Sequence, residues 1–178
     1  YYVIKNQTNC QKISKRYNYI CGCFSNFFVI FFNRIYIMRV AIIGGGICGL
    51  YLAWKLSEKG HKITVFEKKK KIGQNVCSGL FSQRILDFVP QSKTLIQNKI
   101  NYTLLNFPKR KIRVDFSKVF FVMSHFELDR LVADLAKKQG VKFFLNHNIN
   151  IIPKDFDRII GCDGANSFVR RELKLPEP

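Results

Sequence analysis

Acidic residues are scarce in this chain: 12 Asp and Glu stand against 30 Lys and Arg, for a net charge of +18. Such an excess invites a nucleic-acid or anionic-membrane partner. The basic residues are scattered, however, and the dense clusters, Lys68 to Lys71 and Lys109 to Lys111, fall at turns. That distribution argues against a dedicated nucleic-acid module, and no specific nucleic-acid partner is expected. Metal-ligand spacing is missing too: the six cysteines include no C-x-x-C pair, and none stands with histidines in a zinc pattern. No disulfide framework is implied, so reduced thiols in a cytoplasmic setting are expected. Paired carboxylates and a Ser/His/Asp set are also lacking, which removes the common hydrolase chemistries. The longest pure run of large apolar residues, Phe27 to Phe32, is far short of the ~20 residues that span a bilayer.

What is present is a strand, a glycine turn, a helix and a second strand between Arg39 and Glu67. Val40, Ala41, Ile42 and Ile43 form the apolar run of a strand buried on both faces. Gly44, Gly46 and Gly49 follow with G-x-G-x-x-G spacing. In such a turn the first glycine permits the reversal, the second lets backbone approach a pyrophosphate, and the third lets helix and strand pack closely. The phosphates would sit on the helix N-terminus, where unpaired N–H groups and the macrodipole favour anions. Leu50, Ala53, Trp54 and Leu56 give the helix an apolar face, and Gly60 ends it. The second strand, Lys62 to Phe66, leads to Glu67, placed where an acid accepts hydrogen bonds from an adenosine ribose. The motif alone does not choose between FAD and NAD.

Residues 1–37 carry basic residues, no acidic ones and many aromatics. We expect this extension to stand outside the fold, with the domain opening at Met38. Past Gly73, Ser82 could N-cap a short helix carrying Ile85, Leu86 and Phe88, stopped by Pro90. Three antiparallel strands are expected between residues 100 and 123, separated by a turn at Pro108 and a break before Val119. A capping box at Ser124 and Glu127 opens a helix with Leu128, Leu131, Val132 and Leu135 on one face, closed by Gly140. Val141 to Leu145 reads as a buried strand, and Ile149 to Ile152 as a short one. A strand then ends in Asp163-Gly164, with Ser167 starting a helix. Taken alone, that Asp-Gly is equally an ordinary strand-to-helix turn. Cys48 and Cys162 read as packing residues, and His61 and His147 as surface turn residues.

Taken together, the segments resemble the FAD-dependent oxidoreductases of the family that contains p-hydroxybenzoate-hydroxylase-like monooxygenases and geranylgeranyl reductases. Ala53 and Gly60 continue that family's glycine pattern, and Arg158 to Arg170, RIIGCDGANSFVR, fits its Asp-Gly motif. The resemblance implies FAD, held by Gly44, Gly46, Gly49, Glu67, Asp163 and Gly164, with NAD(P)H or ferredoxin as electron donor. Cys77-Ser78-Gly79-Leu80-Phe81-Ser82 is similar to the Cys-Gly-rich segment of the geranylgeranyl reductases. It implies saturation of C=C bonds in isoprenoid lipid chains, peripheral membrane association, and Cys77 as the thiol near the ring. An aromatic-type monooxygenase and a noncatalytic remnant are the alternatives.

The implied architecture is α/β. A Rossmann-like FAD-binding βαβ domain occupies 38–99 and 124–178, interrupted over 100–123 by the start of an inserted antiparallel substrate-domain sheet. Where the family carries an arginine before its second helix, this chain has His125, and Ser78 replaces a glycine. The family's third flavin motif lies outside the sequence, so the chain is expected to be an N-terminal fragment inactive by itself.

Overall fold

A computed structural model describes residues 2–5, 37–74 and 77–176. Strand β1 is Tyr2–Lys5, β2 is Arg39–Ile43, helix α1 is Ile47–Glu58 and β3 is Lys62–Phe66. The chain continues through β4 (Leu80–Ser82), α2 (Ile85–Phe88), a 3-10 turn (Pro90–Leu95), β5 (Asn98–Phe107) and β6 (Arg110–Val122). It closes with α3 (His125–Lys138), β7 (Lys142–Phe144), β8 (Arg158–Gly161) and α4 (Phe168–Glu172).

The main sheet runs in the order β1-β8-β2-β3-β7, with β8, β2, β3 and β7 parallel. β2 lies at its centre and is buried from Val40 to Ile43 because both faces are covered. The two-residue period of a strand divides its side chains between two cores. Val40 and Ile42 point to one, with Leu50, Ala53 and Trp54 of α1 and Leu128, Val132 and Ala136 of α3. Ala41 and Ile43 point to the other, with Ile159 and Val169. Each fully buried Val, Ile or Leu contributes about 1.5–3 kcal/mol, so the first cluster is the main stabilising mass.

The α/β class, the parallel βαβ unit and the separate antiparallel sheet all stand as expected, while several local details differ. Tyr2–Lys5 was expected outside the fold, yet it pairs antiparallel with β8, Tyr2 opposite Gly161 and Lys5 opposite Arg158. An edge strand offers a row of unsatisfied N–H and C=O groups that any strand-capable segment can fill. The rest of the extension up to residue 36 lies outside the described residues. Ser82 is the last residue of β4, and α2 starts from Arg84 without a side-chain cap. Pro90 starts the 3-10 turn rather than merely ending α2, since its fixed φ suits a first helical position. Val119 does not open a new strand. β6 runs unbroken to Val122, and the expected break is a register shift opposite Ile100 and Tyr102, an irregularity of the bulge type. The third strand of that sheet is β4, paired Phe81 to Phe121, so a piece of 38–99 joins the second sheet. β7 is an edge strand with an exposed–intermediate–exposed pattern, not a buried one. Ile149 to Ile152 forms no strand.

α3 begins as read: the Ser124 Oγ accepts the Glu127 N–H at 3.3 Å. Its buried stripe holds one surprise, Asp129, whose side chain is fully enclosed.

Candidate functional site

In a parallel sheet every strand delivers its following loop to one edge, and ligands gather there. The loops after β2, β3, β7 and β8 enclose a cleft of about 440 Å³ at that edge. Gly44, Gly45, Gly46, Glu67, Asp163 and Gly164 all border it, together with Lys68, Lys69, Lys71 and Arg171.

The three motif glycines have different reasons to be glycine. Gly44 has φ +109°, and a Cβ there would collide with the backbone of Cys162 and Asp163, the latter's nitrogen being 2.9 Å away. The close approach exists because Gly44 N–H donates to the Phe66 carbonyl and Cys162 N–H to the Ile43 carbonyl, locking the turn between β3 and β8. At Gly49 a Cβ would overlap the Gly44 carbonyl and come 3.3 Å from the Cys162 Cβ, so this glycine lets α1 sit against the turn. Gly46 differs. Its φ of −78° suits any residue, and a Cβ would meet nothing within 4 Å. Folding gives no reason for glycine at this position; the space beside it is open.

Gly46 is also the N-cap of α1, with no side-chain cap and no acidic residue in the first turn. The first-turn amides have no intrahelical acceptor, so the positive end of a 12-residue helix opens without an anionic side chain. Glu67, buried at the end of β3, accepts the Gly45 N–H at 2.6 Å and the Lys69 N–H at 2.8 Å, one on each carboxylate oxygen. It thereby ties the glycine turn to the basic loop. A carboxylate has about four acceptor positions, leaving two able to receive ribose hydroxyls.

Asp163 lines the cleft, but its carboxylate faces α4: one oxygen accepts the Ser167 hydroxyl at 2.5 Å, the other the Val169 N–H at 3.2 Å. The side chain caps a helix, while Gly164, at φ +86°, borders the open space. Gly49 stands behind the turn and outside the lining. Cys77 is exposed and is not among the lining residues, so the structure does not bring it to this cleft. Cys162 does border the cleft. Burial, then the nearby Cys48, pushes its thiol up to about 12, leaving it protonated and suited to packing. Cys48 is exposed, because it lies two residues, or about 200° of helix, from the inward Leu50.

Several lining groups escaped the sequence reading. Lys68, Lys69 and Lys71 read only as part of a turn, and Arg171 carries no sequence signal of its own. His147, expected as a surface turn residue, lines the cleft with Asn148 and Asn150. The His147 ring lies 5.4 Å from Phe66, which stacks on Phe144 at 5.4 Å. Only the pairing of β7 with β3 brings this loop beside Glu67, and no local pattern encodes that. His125 is instead held on α3, its Nδ1 3.4 Å from the Asp129 carboxylate and its ring stacked on Phe81. Among the described residues no group of three or more metal-ligating side chains forms, and no helix is long and apolar enough to cross a membrane.

The cradle fits a dinucleotide by its own geometry: an open glycine at an uncapped helix N-terminus, an acid at the end of the next strand, and cations around the rim. Residues 42–95 match the family model of the NAD(P)-binding Rossmann-like domain. The chain is 29% identical over 171 aligned positions to kynurenine 3-monooxygenase of Christiangramia forsetii, covering 76% of this chain and 37% of that protein. It therefore spans little more than a third of the length of that curated relative. Among solved structures, a geranylgeranyl bacteriochlorophyll reductase-like protein of Thermoplasma acidophilum superposes with TM-score 0.56 at 24% identity, over 67% of this chain and 32% of the other. PqsL of Pseudomonas aeruginosa, solved with 2-aminobenzoylacetate, superposes with TM-score 0.65 at 19% identity, over 78% and 46%. At such identities these two likenesses concern the fold. The matched model gives residues 42–95 a Rossmann-like NAD(P)-binding domain, and the superpositions show that the chain shares the fold of these two proteins.

Proposed function

We propose that this chain is the FAD-holding portion of an oxidoreductase that saturates C=C bonds of isoprenoid, geranylgeranyl-type lipid chains. The observation that carries the cofactor assignment is Gly46, a glycine that the fold does not need, facing open space at the N-terminus of α1. The first-turn amides of α1 would receive the pyrophosphate, Glu67 the ribose, and the backbone at Gly164 the ribityl side. FAD, when bound, supplies the hydride chemistry. The chain's own part is to bind, orient and exclude water. NAD(P)H or ferredoxin would be the donor, and the protein would work at a membrane surface, where its substrate resides.

The isoprenoid assignment is supported by the Cys77 to Ser82 segment and by the reductase-like structural neighbour. The second reading, an aromatic-type monooxygenase, is supported by the likeness to kynurenine 3-monooxygenase and by the higher superposition on PqsL. Equilibrium dialysis against FAD tests the cofactor: retention is expected, and failure to retain FAD leaves the noncatalytic remnant. The substrate classes separate in two assays on the FAD-loaded whole oxidoreductase that carries this portion. In one, reduced anaerobically with dithionite, geranylgeranyl diphosphate should gain two hydrogens for each bond saturated. In the other, a monooxygenase would instead consume oxygen with NADPH only when an aromatic substrate is added.

A further inference from the structure

His147, Asn148 and Asn150 border the dinucleotide cleft, yet the roles given above to the α1 amides, Glu67 and Gly164 leave all three without a part. Their position follows from strand order. β7 pairs parallel with β3, so the loop after β7 stands next to the end of β3. Two backbone bonds fix it there: Glu67 N–H donates to the Phe144 carbonyl and His147 N–H to the Glu67 carbonyl, both at 2.9 Å. Asn146 N–H adds a third, to the Lys69 carbonyl at 2.9 Å. The loop is thereby held against the acid that would take the ribose.

An adenosine carries its phosphates and its base on opposite sides of the ribose ring oxygen. With phosphates at Gly46 and ribose hydroxyls at Glu67, the base is left to the side away from Gly46, and the order β2-β3-β7 puts the His147 loop on that side. What this loop offers suits a heteroaromatic base. The His147 ring packs against Phe66, centroids 5.4 Å apart, and against Phe144 at 6.2 Å, while the residue stays exposed in the cleft. A flat ring that its neighbours hold in place and a cleft leaves exposed is a stacking platform. Beside it, the Asn148 Nδ2 donates to the Asn150 Oδ1 at 2.8 Å. A side-chain amide has two N–H donors and a carbonyl oxygen with two lone pairs. The joined pair therefore still offers both a donor and an acceptor, as the amino group and ring nitrogens of an adenine edge require.

Resting on the assignment of the cleft to a dinucleotide, we propose that the loop after β7 holds its adenine, with His147 as the stacking residue and Asn148 and Asn150 as the pair that meets the base edge. Equilibrium dialysis of the full chain against FAD, with ADP and inorganic pyrophosphate as competitors, tests this. H147A should weaken FAD and ADP by roughly 5- to 100-fold, the range that a lost base–aromatic stack gives, and H147F should restore most of the loss. N148A/N150A should weaken both by about 10-fold, from the amide bonds lost to the base. Pyrophosphate has no base, so its inhibition constant should be the same in the parent and in all three variants. FAD held equally by the parent and H147A, a loss that phenylalanine does not restore, or FAD held equally by N148A/N150A overturns the role given to those residues and leaves the cradle standing. Pyrophosphate weakened as much as ADP also overturns it, since the loop would then act through the fold and not through the base. A parent that binds neither FAD nor ADP removes the cradle reading itself, and this assignment with it.

Discussion

Alanine at Gly46 and alanine at Gly49 should have opposite consequences, although the two sites are three residues apart. At Gly49 the new methyl group overlaps the Gly44 carbonyl, lies 3.2 Å from its carbon and 3.3 Å from the Cys162 Cβ. Two of these neighbours are backbone locked by the Gly44-to-Phe66 and Cys162-to-Ile43 bonds, so α1 itself must move away. Overpacking of this kind costs about 1–3 kcal/mol, occasionally more, and the immovable carbonyl puts Gly49→Ala at the upper end. For a domain of this size that is a melting point lower by about 6–12 °C. At Gly46 the methyl group meets nothing. Reduced chain entropy in the unfolded state favours alanine by about 0.4–1 kcal/mol, while alanine's poorer N-capping costs about as much. Gly46→Ala should therefore melt within a few degrees of the parent. Its methyl group, however, occupies the space through which a phosphate would reach the first-turn amides. Each charge-assisted bond lost is worth about 1.5–3 kcal/mol, so FAD should bind about 10- to 100-fold more weakly for each bond. Circular dichroism melts and FAD fluorescence quenching read the two effects separately. Gly46→Ala binding FAD as tightly as the parent would refute the placement of the phosphates, however stable the variant.

Glu67→Gln removes the charge from an acceptor of two backbone N–H groups. A loss of about 1.5–3 kcal/mol is expected, seen as a lower melting point with weakened FAD retention; an unchanged melt would remove Glu67 as the tie between the loops. Burial raises the Asp129 carboxyl above its ordinary value, with His125 and then Lys69 opposing the shift. A carboxyl raised in the folded state binds its proton more tightly there than in the unfolded chain. Stability therefore falls as pH rises from the ordinary carboxylate range through the folded value. Asp129→Asn should flatten that slope in melts taken from pH 4 to 8, and a slope retained in the variant would assign it to other groups. Exposed Cys48 and Cys77 should be alkylated by iodoacetamide at pH 8 well before Cys162, whose buried thiol is pushed up to about 12. Mass mapping that finds Cys162 modified first would contradict its burial.

Arg39 to Glu67 was legible because each part of it is local. An apolar run fixes a doubly covered strand, a glycine that must take φ +109° fixes the reversal, and the helix follows from its own apolar face. Ser124 announced α3 for the same reason, since a cap acts within one turn. The sequence by itself therefore determined the class of fold and the glycine cradle. It could not show that Asp163 would turn its carboxylate to α4, because a free acid and a capping acid read alike until the helix is placed. Nor could it place His147 beside Glu67, bury Asp129, or keep Cys77 out of the cleft. Those outcomes depend on which strands become neighbours. Pairing across a sheet joins residues far apart in the chain, with no spacing rule to announce it, so tertiary structure alone decided them.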